Sequence, residues 1–393
     1  LNAQSNLGYQ KPNQAIQEIA DAAPPPTLVM DSEGKTGILL YRYGYKTIDE
    51  LSEPELKLAG LRINPKANIG SRQNYFYKAT ILDINSGKEH EIAGLPENAN
   101  LSAARWNNSE DKLAVLNTTE NNVELWILDV KTKKVSLLIP NGINANIGNP
   151  FTWMKDDKSL LVQKLPKNRK PLIDRTSQVP SGPTISESDG KEAQNRTYQD
   201  LLKNPTDEHN FEQLATSELH IVDLKGVAKM WMRADMYEDI NLSPDGKLIM
   251  ISKIEKPFSY IVPYNRFPSS TDIYDLDGKL VKNVYKKPLI EDIPKGFSAT
   301  AQGPRNINWR RDRNADLAWV EALDGGDPST KAEYRDALYC WEYPYNGDKK
   351  LIHKTVNRFG GVIWGDENTA VVYDSWYTTR MTRTTFINPS QPM

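Results

Sequence analysis

An apolar strand, a turn rich in Asp, Gly, Asn and Ser, and a second apolar strand recur six times along this 393-residue chain. The copies begin at Leu28, Ala104, Phe151, Ile240, Ile307 and Val362. Four carry a Trp just before the turn (Trp106, Trp153, Trp309, Trp364), where the other two have Met30 and Leu242. A sheet unit with a large apolar residue at a fixed corner cannot bury that face alone, so units recurring every roughly 45 to 90 residues must stack on one another. The tryptophans are then core pillars between units in preference to ligand platforms. The pattern predicts an all-β fold, a β-propeller.

Strand pairs of a common form begin at Ala79, Val123, Ser217 and Ser270. In each, alternating apolar residues lead to Asp, one apolar residue and a turn of Gly, Lys, Asn or Asp, the chemistry of a tight hairpin. These pairs supply the outer two strands of four-stranded blades. Asp275, Asp277 and Gly278 lack the order and the twelfth-position Glu of a calcium loop, so they are read as a hairpin turn. A seven-bladed type is expected, and propellers run from about four to eight blades. Six repeats are visible, and the closing WYTTRMTRTTFINPSQPM reads as a last blade left short or a seventh that is missing.

Two insertions interrupt the rhythm, at about residues 45–75 and 166–213. The first contains Thr47-Ile48-Asp49-Glu50, the form of a capping box, and predicts a short helix. The second is polar and proline-rich, with a helical turn expected at RTYQDLLK. Both should project from a face of the disc, where loops carry recognition. Ahead of the first blade, Pro12, Ile16, Ile19, Ala20 and Ala23 have helical spacing, and Pro24-Pro25-Pro26 stops the helix. The expected division is therefore 1–26, a helix and lead-in lying on the propeller, and 27–393, the propeller itself.

Charge and composition remove several function classes. Lys and Arg number 49 against 51 Asp and Glu, for a net charge of −2, and no basic stripe suited to nucleic-acid phosphates stands out. No apolar run approaches the roughly 20 residues that span a bilayer. The single Cys340 excludes an intrachain disulfide, and His90, His209, His220 and His353 have no metal-ligand spacing. No metal and no cofactor is expected. A serine hydrolase of α/β type needs a G-x-S-x-G elbow, which is absent, so no catalytic residue can be assigned. Paired acids such as Glu53 and Glu55 read as a solvated face rather than a glycosidase pair. Arg310-Arg311-Asp312-Arg313 occupies a blade turn and is expected to be solvated.

The wording of the chain resembles a known family. YQKPNQAIQEIADAAPPPTLVMDSEGKTGILL, the insert ELSEPELKLAGLRINPKANIGSRQNY, the second insert through LATSELHIVDL and the closing WYTTRMTRTTFINP are similar to the propeller part of prolyl oligopeptidase-family serine peptidases, in particular the glutamyl endopeptidase subgroup. That resemblance implies an N-terminal propeller joined to a C-terminal α/β-hydrolase domain bearing Ser, Asp and His, with peptide substrates cleaved after Glu. The hydrolase half is not in these residues. The chain alone is expected to be inactive, gating access and shaping the substrate cleft.

A peptidase selecting Glu must neutralise a buried carboxylate, and the planar fork of Arg suits this. Arg62 and Arg72 in the first insert and Arg196 in the second are the candidate substrate contacts. The competing reading of each is a surface or turn arginine holding a carbonyl or a neighbouring acid. The alternative for the whole chain is a freestanding propeller binding a protein or glycan. Leu1-Asn2-Ala3-Gln4 has the form of a signal-peptide remnant, which together with the family reading gives a secreted or periplasmic expectation.

Overall fold

The repeats fold around turns whose polar side chains hold the chain reversal. Asp31 accepts the backbone N–H groups of Lys35 and Thr36, both at 2.8 Å. Asn107 does the same for Lys112 at 2.9 Å, Asp156 for Lys158 at 2.9 Å, and the Ser243 hydroxyl for Leu248 at 3.0 Å. Asp, Asn and Ser stand at these positions because a short side chain can mimic a backbone acceptor within the turn. The predicted turn at Asp275 forms in the same way, its carboxylate accepting from Asp277 and Lys279 at 3.0 and 2.8 Å.

The computed structural model describes residues 10–174 and 198–391. Five four-stranded antiparallel sheets and one three-stranded sheet correspond to the six repeats. Blade 1 joins Thr27–Met30, Thr36–Tyr41, Lys78–Asp83 and Lys88–Glu91. Blade 2 joins Leu101–Trp106, Lys112–Thr118, Val123–Asp129 and Lys134–Ile139. Blade 3 is built from Phe151–Trp153, Ser159–Lys164, Ser217–Asp223 and Ala228–Asp235. Blade 4 follows with Tyr237–Leu242, Leu248–Ile254, Ser269–Asp275 and Leu280–Lys287. Blade 5 consists of Arg305–Trp309, Leu317–Ala322, Asp336–Trp341 and Lys350–Thr355. Blade 6 has three strands, Arg358–Asp366, Thr369–Trp376 and Met381–Ile387. The fold is the all-β propeller class that the repeat predicts.

The chain divides into two compact units. The first comprises Leu1–Glu55, Asn64–Ile143 and Leu224–Gly226, and the second Leu56–Ile63, Asn144–Asp223 and Val227–Met393. In the first unit, Ile38, Leu40 and Ile81 of blade 1 pack against Leu101, Leu113 and Val115 of blade 2, with Trp106 at the edge. In the second, three successive clusters join blade 3 to 4, 4 to 5 and 5 to 6, and Trp309 and Trp364 pack in the last two. Three of the four repeat tryptophans thus serve as inter-blade packing, and Trp153 is buried in the first strand of blade 3.

Three local expectations need correction. Helix α1 (Gln14–Ala20) is capped by Asn13, which leaves Pro12 outside it, and none of its residues is buried. Ile16 and Ile19 are exposed, so the apolar face expected to lie on the propeller is uncovered among the described residues. The helical turn expected at 196–203 is not formed in its described part, residues 198–203. A longer helix follows it, numbered α3 below because helix α2 (Ile48–Ser52) precedes it in the chain. In α2 the predicted capping box is complete, with Thr47 and Glu50 bonded reciprocally at 3.2 and 2.6 Å.

Helix α3 (Pro205–Ala215) is capped by Asn204, which accepts from Thr206 and Asp207 at 2.9 and 3.0 Å. Asn-Pro reads as a loop signal, yet Asn at the cap, Pro at the first helical position and acids in the first turn also make a helix start. Finally, Arg310 is not solvated: it is 4% exposed, bound to Asp312, and lies 4.4 Å from the Trp364 ring. The pillar of the next repeat covers it, which a one-dimensional comparison of turns cannot show. Its Nη1 also donates to the sulfur of Cys340, whose thiol burial pushes up to about 12.

Candidate functional site

The first insert places Arg62 on a hairpin of Leu56–Leu58 with Leu61–Asn64, where Lys57 is its direct cross-strand partner. Two like charges in register repel. Asp200, from the second insert, offsets this by accepting from Arg62 Nε at 2.6 Å, and its carbonyl also accepts from Gly60 N at 2.9 Å. Both groups are largely buried, with side-chain exposures of 26% and 13%. Leu58, Ala59 and Ile63 of the hairpin share a core with Leu202, Phe211 and Leu214. Leu56–Ile63 of the first insert therefore folds together with the described C-terminal part of the second insert within the second unit, and the pair Arg62–Asp200 is one of their ties.

Arg72 belongs to the first unit and stands in left-handed backbone at φ +62°. Its Nε and Nη2 reach the two oxygens of Glu55 at 2.9 and 3.2 Å, and Ser71 donates to the same carboxylate at 2.6 Å. The Arg72 side chain is 61% exposed, so solvent screens the pair. Arg72→Ala is expected to change stability by less than about 1 kcal/mol in urea unfolding; a larger loss would show that Glu55 depends on it structurally. Arg196 lies outside the described residues.

The richest constellation is one that the sequence did not point to. In the second unit, Arg358 opens blade 6 at 9% exposure and is fully engaged. Its Nε donates to Ser298 O at 2.7 Å, Nη1 to Arg335 O and Asp336 at 3.1 and 3.0 Å, and Nη2 to Asp324 at 2.7 Å. Asp324 also accepts from Arg335 at 2.9 Å, and Asp336 lies 2.7 Å from Arg305 Nη2. Asp336 further accepts from Phe359 N at 2.8 Å. Buried carboxylates persist only when charges and hydrogen bonds satisfy them, and here arginines from three strand ends do so.

Above this network opens a cavity of about 430 Å³, lined by Phe297, Arg305, Arg358, Trp376, Tyr377 and Arg380 among others, with no carboxylate in its lining. Phe297 stacks on Tyr377 at 4.1 Å, and the Arg380 guanidinium lies 3.7 Å from the same Tyr ring. Arg335 covers Trp376 at 4.6 Å. A larger cavity of about 840 Å³, also in the second unit, runs past Trp309, Trp319, Phe359 and Trp364 with Lys155 and Arg311 at its polar parts. In the first unit a cavity of about 590 Å³ is lined by Tyr43, Tyr45, Tyr75 and Tyr77 with polar and charged residues of the first insert. Among the described residues no group of three His, Cys, Asp or Glu is placed to hold a metal ion. No described helix is long and apolar enough to cross a membrane.

The sequence signals for the arginine network are weak. Arg305, Arg335 and Arg358 each stand just before or at a strand start, at sequence positions 30 and 23 apart, and nothing in one dimension says that they converge. Only Arg380, within WYTTR, falls in a segment that the resemblance singles out.

No protein-family model matches the chain. Among curated proteins it is similar to the probable chloroplastic glutamyl endopeptidase of Oryza sativa subsp. japonica, with 36% identity over 98% of this chain and 42% of the relative. The probable chloroplastic glutamyl endopeptidase of Arabidopsis thaliana is 34% identical over 97% of this chain and 41% of that protein. The chain thus spans about two-fifths of the length of these relatives. Solved structures that it overlays include an acylaminoacyl peptidase of Pyrococcus horikoshii, at TM-score 0.45 and 12% identity over 90% of this chain and 43% of that one. Another is the β-propeller domain of the Trilobed protease from Pyrococcus furiosus, at TM-score 0.40 and 13% identity over 93% and 81%. The chloroplastic assignment of both curated relatives overturns the secreted or periplasmic expectation, and Leu1–Gln4, from which it came, lies outside the described residues. By sequence the chain is similar over nearly its whole length to part of each of these glutamyl endopeptidases, and its own fold is of the β-propeller class.

Proposed function

We propose that the chain, with residues 27–393 as its propeller and 1–26 as a lead-in, is the non-catalytic part of a serine peptidase of the prolyl oligopeptidase family that cleaves peptides after Glu. Its partner is an α/β-hydrolase domain bearing the catalytic Ser, Asp and His, and its task is to restrict which peptides reach that domain. The observation that carries this reading is sequence kinship over 98% of the chain with a glutamyl endopeptidase of which the chain spans 42%. The absence of any G-x-S-x-G elbow from the 393 residues agrees with it, since the nucleophile must then come from elsewhere.

Arg62, Arg72 and Arg196 are the proposed contacts for the substrate carboxylate. Arg72 is the more readily recruited of the two described, because its pair with Glu55 is exposed and costs little to exchange for another carboxylate. Arg62 would have to share or leave Asp200.

The test sets the full-length parent protein beside this chain, with Glu-containing and matched Gln-containing peptides as substrates and a serine-directed inhibitor as control. Cleavage after Glu by the full-length protein, blocked by the inhibitor and absent from the chain, is the expected result. No cleavage by either form would overturn the peptidase reading in favour of a binding module.

A further inference from the structure

We infer that the cavity between Phe297, Arg305, Trp376 and Arg380 is a carboxylate-binding subsite for a peptide. This rests on the proposed peptidase reading only in taking peptides as the ligand class; the anion preference comes from the cavity itself.

Three guanidinium groups line the cavity and no carboxylate does. They are not equivalent. Arg358 spends its donors on Ser298, Arg335, Asp336 and Asp324, and so acts as the buried floor. Arg305 donates to the Thr300 hydroxyl at 2.7 Å and lies beside Asp336, but its Nε is buried without a hydrogen-bond partner and its Nη2 is close to Asp336 without hydrogen-bond alignment. A buried N–H left unmatched costs more than an ordinary hydrogen bond contributes, so Arg305 is less fully satisfied than Arg358.

Arg380 has no acid partner among the described residues. Its backbone is fixed in a left-handed turn at φ +58°, where its N–H donates to Trp376 O at 3.0 Å, and its guanidinium lies against Tyr377. Stacking restrains the fork without using its donors, leaving a pre-oriented cation at the mouth. Phe297, 79% exposed and stacked on Tyr377, adds an apolar wall beside that cation. A carboxylate next to an apolar or aromatic group matches both features, as in an acidic side chain or a free chain terminus flanked by a hydrophobic residue. An anion without such a flank would meet only half of the surface.

Binding is read by titrating the chain with the labelled tetrapeptide Ala-Ala-Glu-Phe in four forms: capped at both ends, capped with Gln for Glu, and each of these with a free C-terminus. Either carboxylate source should strengthen binding about tenfold over the capped Gln peptide, and the two capped and uncapped arms show which source is used. Arg380→Gln, at an exposed position without an ion pair, should remove that preference while leaving the capped Gln peptide unaffected. Phe297→Ala should weaken all forms several-fold. Added salt should shrink the preference, as expected of a partly exposed charge pair. Equal binding of all four peptides, or a preference unchanged in Arg380→Gln, would overturn the subsite. Because cleavage after Glu is scored separately with the full-length protein, either inference can fail while the other stands.

Discussion

Replacing Arg358 with Ala is expected to lower the stability of the chain by about 3–5 kcal/mol, the range typical when one partner of a buried ion pair is removed. The guanidinium bridges Asp324 and Asp336, and it also satisfies the carbonyls of Ser298 and Arg335. The Asp336 side chain has no solvent exposure and that of Asp324 has none either, so water cannot take over what Arg358 supplies. Arg305 and Arg335 remain after the substitution, which should keep the loss from exceeding this range. Arg358→Lys should recover only part of it, because one ammonium cannot span two carboxylates and two carbonyls as a planar fork does. Urea unfolding at constant slope is the measurement, since a shift in midpoint alone then reports stability. A loss below about 1 kcal/mol would mean that the network is screened like a surface pair.

The network also shows where reading the sequence stops. The blades were legible because each is local: strand, Asp or Asn turn, strand, with the side chain that closes the turn only four or five residues from the N–H groups it binds. Inter-blade packing was legible for the same reason, since the tryptophan corner repeats with the blade. The candidate site has no such period. Its parts come from residues 297–305, 324–336, 358 and 376–380, and each alone is an unremarkable Arg or Asp near a strand end. Arg310 taught the converse. It stands where sister repeats place Asn107, Met154 and Ser243, which are buried as well, and the guanidinium is covered by Trp364, 54 positions on.

The inserts were half legible. A capping box fixes α2, whereas in the second insert the prolines mask the helix start at Asn204-Pro205, and the helix forms just after the turn expected at RTYQDLLK. What settles such a case is burial: α3 turns Phe211 and Leu214 into a core that also takes Leu58 and Ile63 from the other insert. Leu56–Ile63 of the first insert and helix α3 of the second thus share one core in the second unit. Arg62 shows the same coupling, since its partner Asp200 comes from the second insert.

Phe211→Ala provides the strongest test of that coupling, with an expected loss of about 3–5 kcal/mol. Phe211 has no solvent exposure and meets Phe258 and Phe267 edge-on, with ring centroids 5.1 and 5.8 Å away, while those two rings stack on each other at 5.3 Å. Removing it therefore deletes buried area, leaves a void and breaks two edge-to-face contacts at once. The damage should also be uneven. Blades 1 and 2 share none of the residues of this core and should keep their hydrogen-exchange protection, whereas the α3 segment and the Leu56–Asn64 hairpin should open together. Phe211→Leu, which keeps most of the volume, should cost markedly less. Protection lost from α3 alone, with the hairpin unchanged, would show that the two inserts merely touch; joint loss would establish them as a single cooperative element, so that Arg62 and Asp200 are held as a pair by the aromatic core beneath them.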